Sequence, residues 1–259
     1  VLSVDEGGNF VIPLLSGHIG GANGFAKALA KVIKATPVVT TATDVNKLFA
    51  VDEWAARNNM IINSMKAAKD FAAALVDGQE VGLFTDYPII SALPRQIVLK
   101  DKGVTGLAIT KNKNVKPFDL TVQLWPRNIY LGIGCRRGTT LESIETLVLP
   151  KLKELGIDLR TIVGVASVDL KKDEAGLLNF AAKYNWEISF FTAEELQNAA
   201  GEFSSSDFVK SVVGVSNVCE RSAVLAANNG SIISSKCSLN GVTLAVAEAD
   251  IVLDFEKLS

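Results

Sequence analysis

Histidine is almost absent from this chain, and with it go the residues that build metal centres. Among 259 residues there is one histidine, His18, and three scattered cysteines, Cys135, Cys219 and Cys237. No C-x-x-C pair and no histidine–carboxylate cluster occurs, which argues against a protein-built zinc or iron centre and against a disulfide framework. No apolar run reaches the roughly 18 residues of a membrane-spanning helix, and no signal-peptide pattern is visible. An excess of one charge is lacking too. The 26 Lys and Arg balance 28 Asp and Glu for a net −2, so no global field draws nucleic acid or an anionic membrane. What remains is a globular profile, 48% apolar and 21% charged, long enough to bury a core. A reducing cytoplasm is the expected compartment. Because the chain begins at Val1 inside a strand-like segment, further sequence is expected upstream.

Periodicity supplies the organisation. "NFVIPLL" reads as a strand, and "NGFAKALAKVIK" sets Phe25, Leu29 and Ile33 on one helical stripe. "TPVVTTA" follows as a β-branched strand, so the opening predicts a βαβ unit with parallel pairing. Two helical stretches are expected between Val51 and Val76, interrupted at Asn58-Asn59, then strands at "EVGLFTDYPI" and "GVTGLAIT". "KNKNVKPFDLTVQLWPRN" is polar, basic and proline-punctuated, and reads as a linker. The pattern then restarts: strand "IYLGIG", helix "TTLESIETLVLPKLKELG", strand "TIVGVAS", helix "DEAGLLNFAAKYN" and strand "EISFF". Helices are expected near Asp207 to Val213 and Cys219 to Asn228, before the strands "GSIISSK" and "GVTLAVAEA". Thr139-x-x-Glu142 and Thr192-x-x-Glu195 have the spacing of capping boxes. The expected fold is α/β, with two- or three-layer α/β domains and mostly parallel sheets joined by a central linker region. The expected divisions are 1–54, an incomplete N-terminal domain, 55–125, the central segment and linker, and 126–259, the C-terminal domain.

Two glycine-rich strand-to-helix turns are the candidate sites. Gly132-Ile-Gly134-Cys135-Arg136-Arg137-Gly138 combines small residues with a forked cationic pair, at the sheet edge where open α/β folds bind ligands. Its G-x-G-x-x-x-G spacing departs from the dinucleotide fingerprint and from the Walker loop. A nucleotide-dependent enzyme therefore stays open beside a plain turn with solvated arginines. Ser16-Gly17-His18-Ile19-Gly20-Gly21-Ala22-Asn23 has the same logic, with His18 able to move a proton near neutral pH or merely to bond within the turn. Asp44 and Asp52 follow a strand end, where a carboxylate activates water or caps a helix. Asp86-Tyr87 is a turn with potential ligand contact. Asp169 reads as a helix cap, and Lys236 is solvated or functional. Neither a nucleophile-elbow G-x-S-x-G nor a Ser-His-Asp order is present.

Longer motifs carry a resemblance. "PLLSGHIGGAN", "ATPVVTTATDVNKLFAVDEWA", "GLFTDYPI", "RNIYLGIGCRRGTTLESIE", "SVDLKKDEAGLLNFA", "FFTAEEL" and "SNVCERSAVLAANNG…SKCSLNGVTLAVA" resemble, in order, the cobalt-precorrin-5A hydrolase family, the cobalamin biosynthesis protein G group. The likeness runs from about Pro13 to Ala247. It implies α/β domains and opening of the substrate's δ-lactone with release of acetaldehyde, giving cobalt-precorrin-5B. It also implies a carboxylate-fringed macrocycle as substrate and cobalt that arrives within it, so that no cofactor is needed. On that reading His18 and Asp44 are the candidate catalytic groups. Ser16, Gly17, Gly20, Gly21, Asn23, Asp86, Tyr87, Gly132, Gly134, Cys135, Arg136, Arg137, Gly138 and Lys236 are the candidate substrate contacts. No nucleic acid or membrane partner is expected, a homo-oligomer is compatible, and a non-catalytic corrinoid-binding protein is the alternative.

Overall fold

The computed structural model describes residues 1–14, 21–40, 45–201, 203 and 217–256. By contacts they form two compact units, Val1–Pro126 with Val252–Ser259, and Arg127–Ile251.

The first unit opens with a small sheet. Strands β1 (Leu2–Val4) and β2 (Phe10–Pro13) pair antiparallel, and helix α1 (Ala22–Ile33) leads to β3 (Thr36–Pro37), parallel to β2. The Asp5 carboxylate accepts the Phe10 N–H at 2.6 Å. That bond holds its carboxyl below the ordinary range. The predicted stripe on α1 is not the buried one. Ala26 and Ala30 pack on Val11, with Leu29 beside them, while Phe25 is 63% exposed. The short sheet meets the helix mainly through Ala26 and Ala30, and Phe25, Val32 and Ile33 lie outside.

Its second sheet has the order β4-β8-β7-β5-β6. Helix α2 (Val51–Arg57), β4 (Met60–Ile62) and helix α3 (Met65–Val76) come first. The expected interruption at Asn58-Asn59 is therefore a helix end followed by a strand, with Asn59 in the left-handed region at φ 52°, where Asn is among the tolerated residues. Ser64 caps α3 by accepting the Ala67 N–H. Strands β5 (Val81–Thr85), β6 (Ile97–Leu99), β7 (Gly103–Ile109) and β8 (Phe118–Pro126) are mutually parallel, and only β4 runs against them.

The expected linker is thus half a central strand. Strand β8 lies between β4 and β7 and is buried from Val122 to Pro126. Its one buried amide, Gln123, is satisfied, because Nε2 donates to the carbonyls of Lys113 and Val115 and Oε1 accepts from Asn63. A polar residue can occupy a central strand on those terms.

The end of the described chain returns to this unit. Leu253 bridges to Ile89, and Phe255 stacks on Trp54 with centroids 4.7 Å apart. The expected 54/55 division falls inside α2, and residues 252–256 belong to this unit rather than with the C-terminal sheet.

The second unit is a five-stranded sheet of order β11-β10-β9-β13-β12. Strands β9 (Ile129–Cys135), β10 (Ile162–Val168) and β11 (Glu187–Phe191) are parallel, while β12 (Ser231–Leu239) and β13 (Val242–Glu248) form an antiparallel hairpin joined to β9. Alternation along β9 decides the layers. Leu131 and Ile133 join Ile144, Val148 and Leu152 of helix α4 (Leu141–Glu154) and Leu177 and Phe180 of helix α5 (Ala175–Lys183) in one cluster. Helix α6 (Ala193–Gln197) carries the expected capping box, with Thr192 and Glu195 bonded reciprocally. The other expected box differs. Thr140, not Thr139, caps α4 by accepting the Ser143 N–H, and the Thr139 hydroxyl donates back to the Arg136 carbonyl.

Helix α7 (Val218–Ala226) covers the opposite face through Cys219, Ala223, Val224 and Ala227 against Ala245 and Ala247. That face is built of small residues. A Cβ at Gly132 would sit 1.8 Å from the Cys219 carbonyl oxygen, so only glycine lets the helix lie this close to β9. The helix expected near Asp207 to Val213 lies outside the described residues.

Candidate functional site

The carboxyl edge of the second unit's sheet gathers the β9–α4 loop, the start of α5 and the β12–β13 turn. Arg136 and Arg137 project there, both exposed. Arg137 donates to Asp173 at 2.8 Å and to the Leu170 carbonyl. Arg136 lies along the β12–β13 turn, where a Cβ at Gly241 would be 2.8 Å from its Cδ. Among the described residues Arg136 has no ion-pair partner, so its guanidinium is the cation left for an incoming anion.

The backbone of this loop is already engaged. Gly138 N–H donates at 2.7 Å to Glu174 Oε1, a carboxylate that is only 5% exposed. Its other oxygen lies 3.7 Å from the Lys171 ammonium. Glu174 therefore stands where a bound phosphate or carboxylate would meet the Gly138 N–H. Burial pushes the Cys135 thiol up, with Lys171 partly opposing, so Cys135 is protonated rather than a thiolate nucleophile.

A second buried cluster stands at the start of α7. Asn217, at φ 59°, accepts the Glu220 N–H, and its amide donates at 2.5 Å to the Glu220 carboxylate. Glu220, 3% exposed, accepts the Lys236 N–H at 2.6 Å. Lys236 lies where the β12–β13 register shifts, and the acid takes up an N–H that the irregular ladder leaves over. Ser222 donates to the Ala166 carbonyl and Ser167 to that of Ile133. Cys219 is pushed up to about 11 by burial. The cluster fixes the start of the helix. Glu174, Asn217 and Glu220 are absent from the sequence expectations. Asn217-x-x-Glu220 repeats the cap spacing noted at Thr192, which was the one available signal for that pair, and Glu174 had none.

Of the sequence candidates in this unit, Gly132 is closed on one face by α7, and Gly134 opposes Thr243, whose hydroxyl donates to the Gly134 carbonyl. Cys135, Arg136, Arg137 and Gly138 come together at the edge. Lys236 enters the bonding described above through its backbone.

In the first unit, Asp86 and Tyr87 follow the carboxyl end of β5. The exposed Asp86 carboxylate accepts from the Thr110 hydroxyl beyond the end of β7, and the buried Tyr87 donates its N–H to Thr85 Oγ1 at 3.0 Å. Gly21 begins α1 at φ 69°, and Asn23 is buried. Ser16, Gly17, His18, Gly20 and Asp44 lie outside the described residues. No group of three or more potential metal ligands occurs among the described residues, and no helix there is long and apolar enough to cross a membrane.

Three family models match in sequence order. They are the cobalamin synthesis G N-terminal model at residues 1–44, the cobalamin biosynthesis central region at 49–126, and the cobalamin synthesis G C-terminus at 129–247. The cobalt-precorrin-5A hydrolase of Salmonella typhimurium is 34% identical over 96% of this chain and 74% of its own. That of Priestia megaterium is 30% identical over 95% of this chain and 71% of its own. A crystal structure of CobE, a protein of the cobalamin (vitamin B12) biosynthetic pathway, covers 47% of this chain and 89% of its own, with 28% identity and a TM-score of 0.44. With its relatives aligned over nearly its whole length and the three models end to end, this chain belongs to the cobalamin synthesis G family.

Proposed function

We propose that this chain is a cobalt-precorrin-5A hydrolase of the cytoplasm, opening the substrate's δ-lactone and releasing acetaldehyde to give cobalt-precorrin-5B. The observation that carries the reading is the pair of relatives of that name, matched across 95% and 96% of the chain. Water adds to the lactone carbonyl and the ring oxygen leaves as the alcohol. That hydroxyl then loses its proton, its oxygen forms the aldehyde C=O, and the carbon–carbon bond breaks with its electron pair passing to the conjugated macrocycle. One water is consumed and one acetaldehyde released. His18 takes the proton from water, with Asp44 orienting it, and N–H groups of the Ser16–Asn23 glycine loop, which holds His18, receive the oxyanion, a contribution of roughly 3 kcal/mol per donor in other hydrolases. Arg136 and Arg137 meet substrate carboxylates. Cobalt enters within the substrate, and these steps call for no metal of the protein's own.

The test is anaerobic incubation with cobalt-precorrin-5A and trapping of volatile aldehyde. Stoichiometric acetaldehyde is expected. Tight binding of the corrinoid with no acetaldehyde overturns the assignment in favour of a carrier.

A further inference from the structure

On the first unit, the segment before α2, the loop before β6 and the returning tail enclose a groove of about 320 Å³. Phe49 and Phe255, 3% and 2% exposed, are packed edge to face and both border the groove. Leu93 and Pro94 add apolar wall, and the exposed side chains of Lys47 and Arg95 belong to the same lining, with Glu256 the single acid. Among the described residues neither cation has an ion-pair partner. The Arg95 loop is anchored, because Gln96 Nε2 donates to the carbonyls of Leu75 and Gln79 and Ile97 N–H to that of Pro94. Its guanidinium is therefore presented from a fixed backbone.

We infer that this groove receives a carboxylate arm of the corrinoid, with Lys47 and Arg95 on the carboxylate and the part-exposed Leu48, Leu93 and Pro94 against the adjoining apolar edge. An apolar wall of Leu48, Leu93 and Pro94 backed by buried rings, with two cations against the single acid Glu256, suits an acid carried on a hydrophobic body. A volume near 320 Å³ holds a side arm while the macrocycle stays outside. The inference rests on the function proposed above for the identity of the ligand, but not for the chemistry of the groove.

The probes are cobyrinic acid, a corrinoid with free carboxylates, and its heptamethyl ester, with binding followed by difference absorbance. Wild-type protein is expected to bind the acid at least tenfold more tightly than the ester. Lys47→Ala/Arg95→Ala is expected to weaken the acid tenfold or more and leave the ester unchanged, with an unaltered thermal midpoint. Lys66→Ala/Lys69→Ala, which removes equal charge from α3, is expected to leave both affinities as they were. Equal weakening by the two double variants reduces the effect to net charge and overturns the groove. So does unchanged affinity in Lys47→Ala/Arg95→Ala, or failure of the wild type to bind the acid. Acetaldehyde release is scored separately: a protein that binds as expected and releases none overturns the hydrolase reading and leaves the groove standing.

Discussion

Glu174 places a carboxylate oxygen 2.7 Å from the Gly138 N–H and keeps it only 5% exposed. The protein thereby supplies its own anion to the glycine-rich loop that the sequence offered as an anion site. Arginine side chains, not loop N–H groups, are what this edge leaves for an external carboxylate. The same bond argues against a nucleotide phosphate in the loop.

Removing that anion has a measurable cost. Glu174→Ala leaves the Gly138 N–H and Lys171 without their partner, and a loss of about 1–3 kcal/mol is expected in urea unfolding. Glu174→Gln, which keeps an acceptor, is expected to recover part of it. Titration of wild-type protein with NAD, NADP or ATP is expected to leave the melting temperature unchanged. A nucleotide-dependent rise, or an alanine variant as stable as wild type, contradicts this account of the loop.

Two glycines predict opposite signs. Gly132→Ala forces a Cβ to 1.8 Å from the Cys219 carbonyl oxygen. Helix α7 must shift, and a loss of about 1–3 kcal/mol or more is expected from overpacking. Gly24 lies within α1 with nothing within 4 Å of an added Cβ, so Gly24→Ala is expected to gain about 0.5–1 kcal/mol through helix propensity. Denaturant midpoints of the two variants decide it, and a tolerated Gly132→Ala removes the close-approach argument.

His18 carries the proposed proton transfer. His18→Ala is expected to lower the rate of acetaldehyde release by about 10²–10⁴-fold, the usual contribution of a positioned acid–base group. Corrinoid binding is expected to survive. Release at the wild-type rate removes histidine from the mechanism and leaves Asp44→Asn as the next variant to assay.

How much was legible depended on whether a signal was local. Strand and helix periods located β9, α4, β10, α5, β11 and β13, because each is long enough to repeat its pattern. The capping box at Thr192 was readable for the same reason. Strand β8 was not, since its polar approach and the buried Gln123 imitate a linker until Asn63 and the Lys113 carbonyl are seen to satisfy the amide. On α1 the expected stripe meets the sheet only at Leu29: hydrophobicity favours Phe25 and Ile33, whereas the fully buried contacts on Val11 are Ala26 and Ala30. Glu174 and the tail are non-local: nothing near residue 174 announces Gly138, and nothing near 255 announces Trp54.

One contact contributes to stability at both pH extremes. Tyr184 donates at 2.6 Å to the Glu145 carboxylate, which also pairs with Lys183. Burial and that bond push the Tyr184 phenol up to about 12 from 10.0. The stabilisation is therefore whole below about pH 10 and lost as pH rises through about 12. Glu145 is held below the ordinary carboxylate range by Lys183 and Tyr184, so its share is present above that range and lost as pH falls through the depressed value. Tyr184→Phe is expected to flatten the alkaline limb of a melting-temperature profile and to raise the pH of the acid limb slightly. A limb unchanged in the variant assigns the transition to other groups.

The tail gives the sharpest stability prediction. Phe255 is 2% exposed and stacks on Trp54 at 4.7 Å with an 11° angle between planes, and the Trp54 indole donates at 3.0 Å to the Asp254 carbonyl. These contacts are made by residues about 200 apart in sequence, so they close a long loop that folding must order. Phe255→Ala removes a buried ring and opens a cavity beside Trp54, with an expected loss of about 3–5 kcal/mol. Phe255→Leu keeps most of the volume and is expected to recover much of that. Near-UV circular dichroism gives an independent check, because loss of the stacked partner should diminish the Trp54 band in the alanine variant while far-UV signal is kept. If Phe255→Ala unfolds at the wild-type denaturant midpoint, the tail only decorates the first unit, and α2 must be held by Phe49 and its own helix contacts instead.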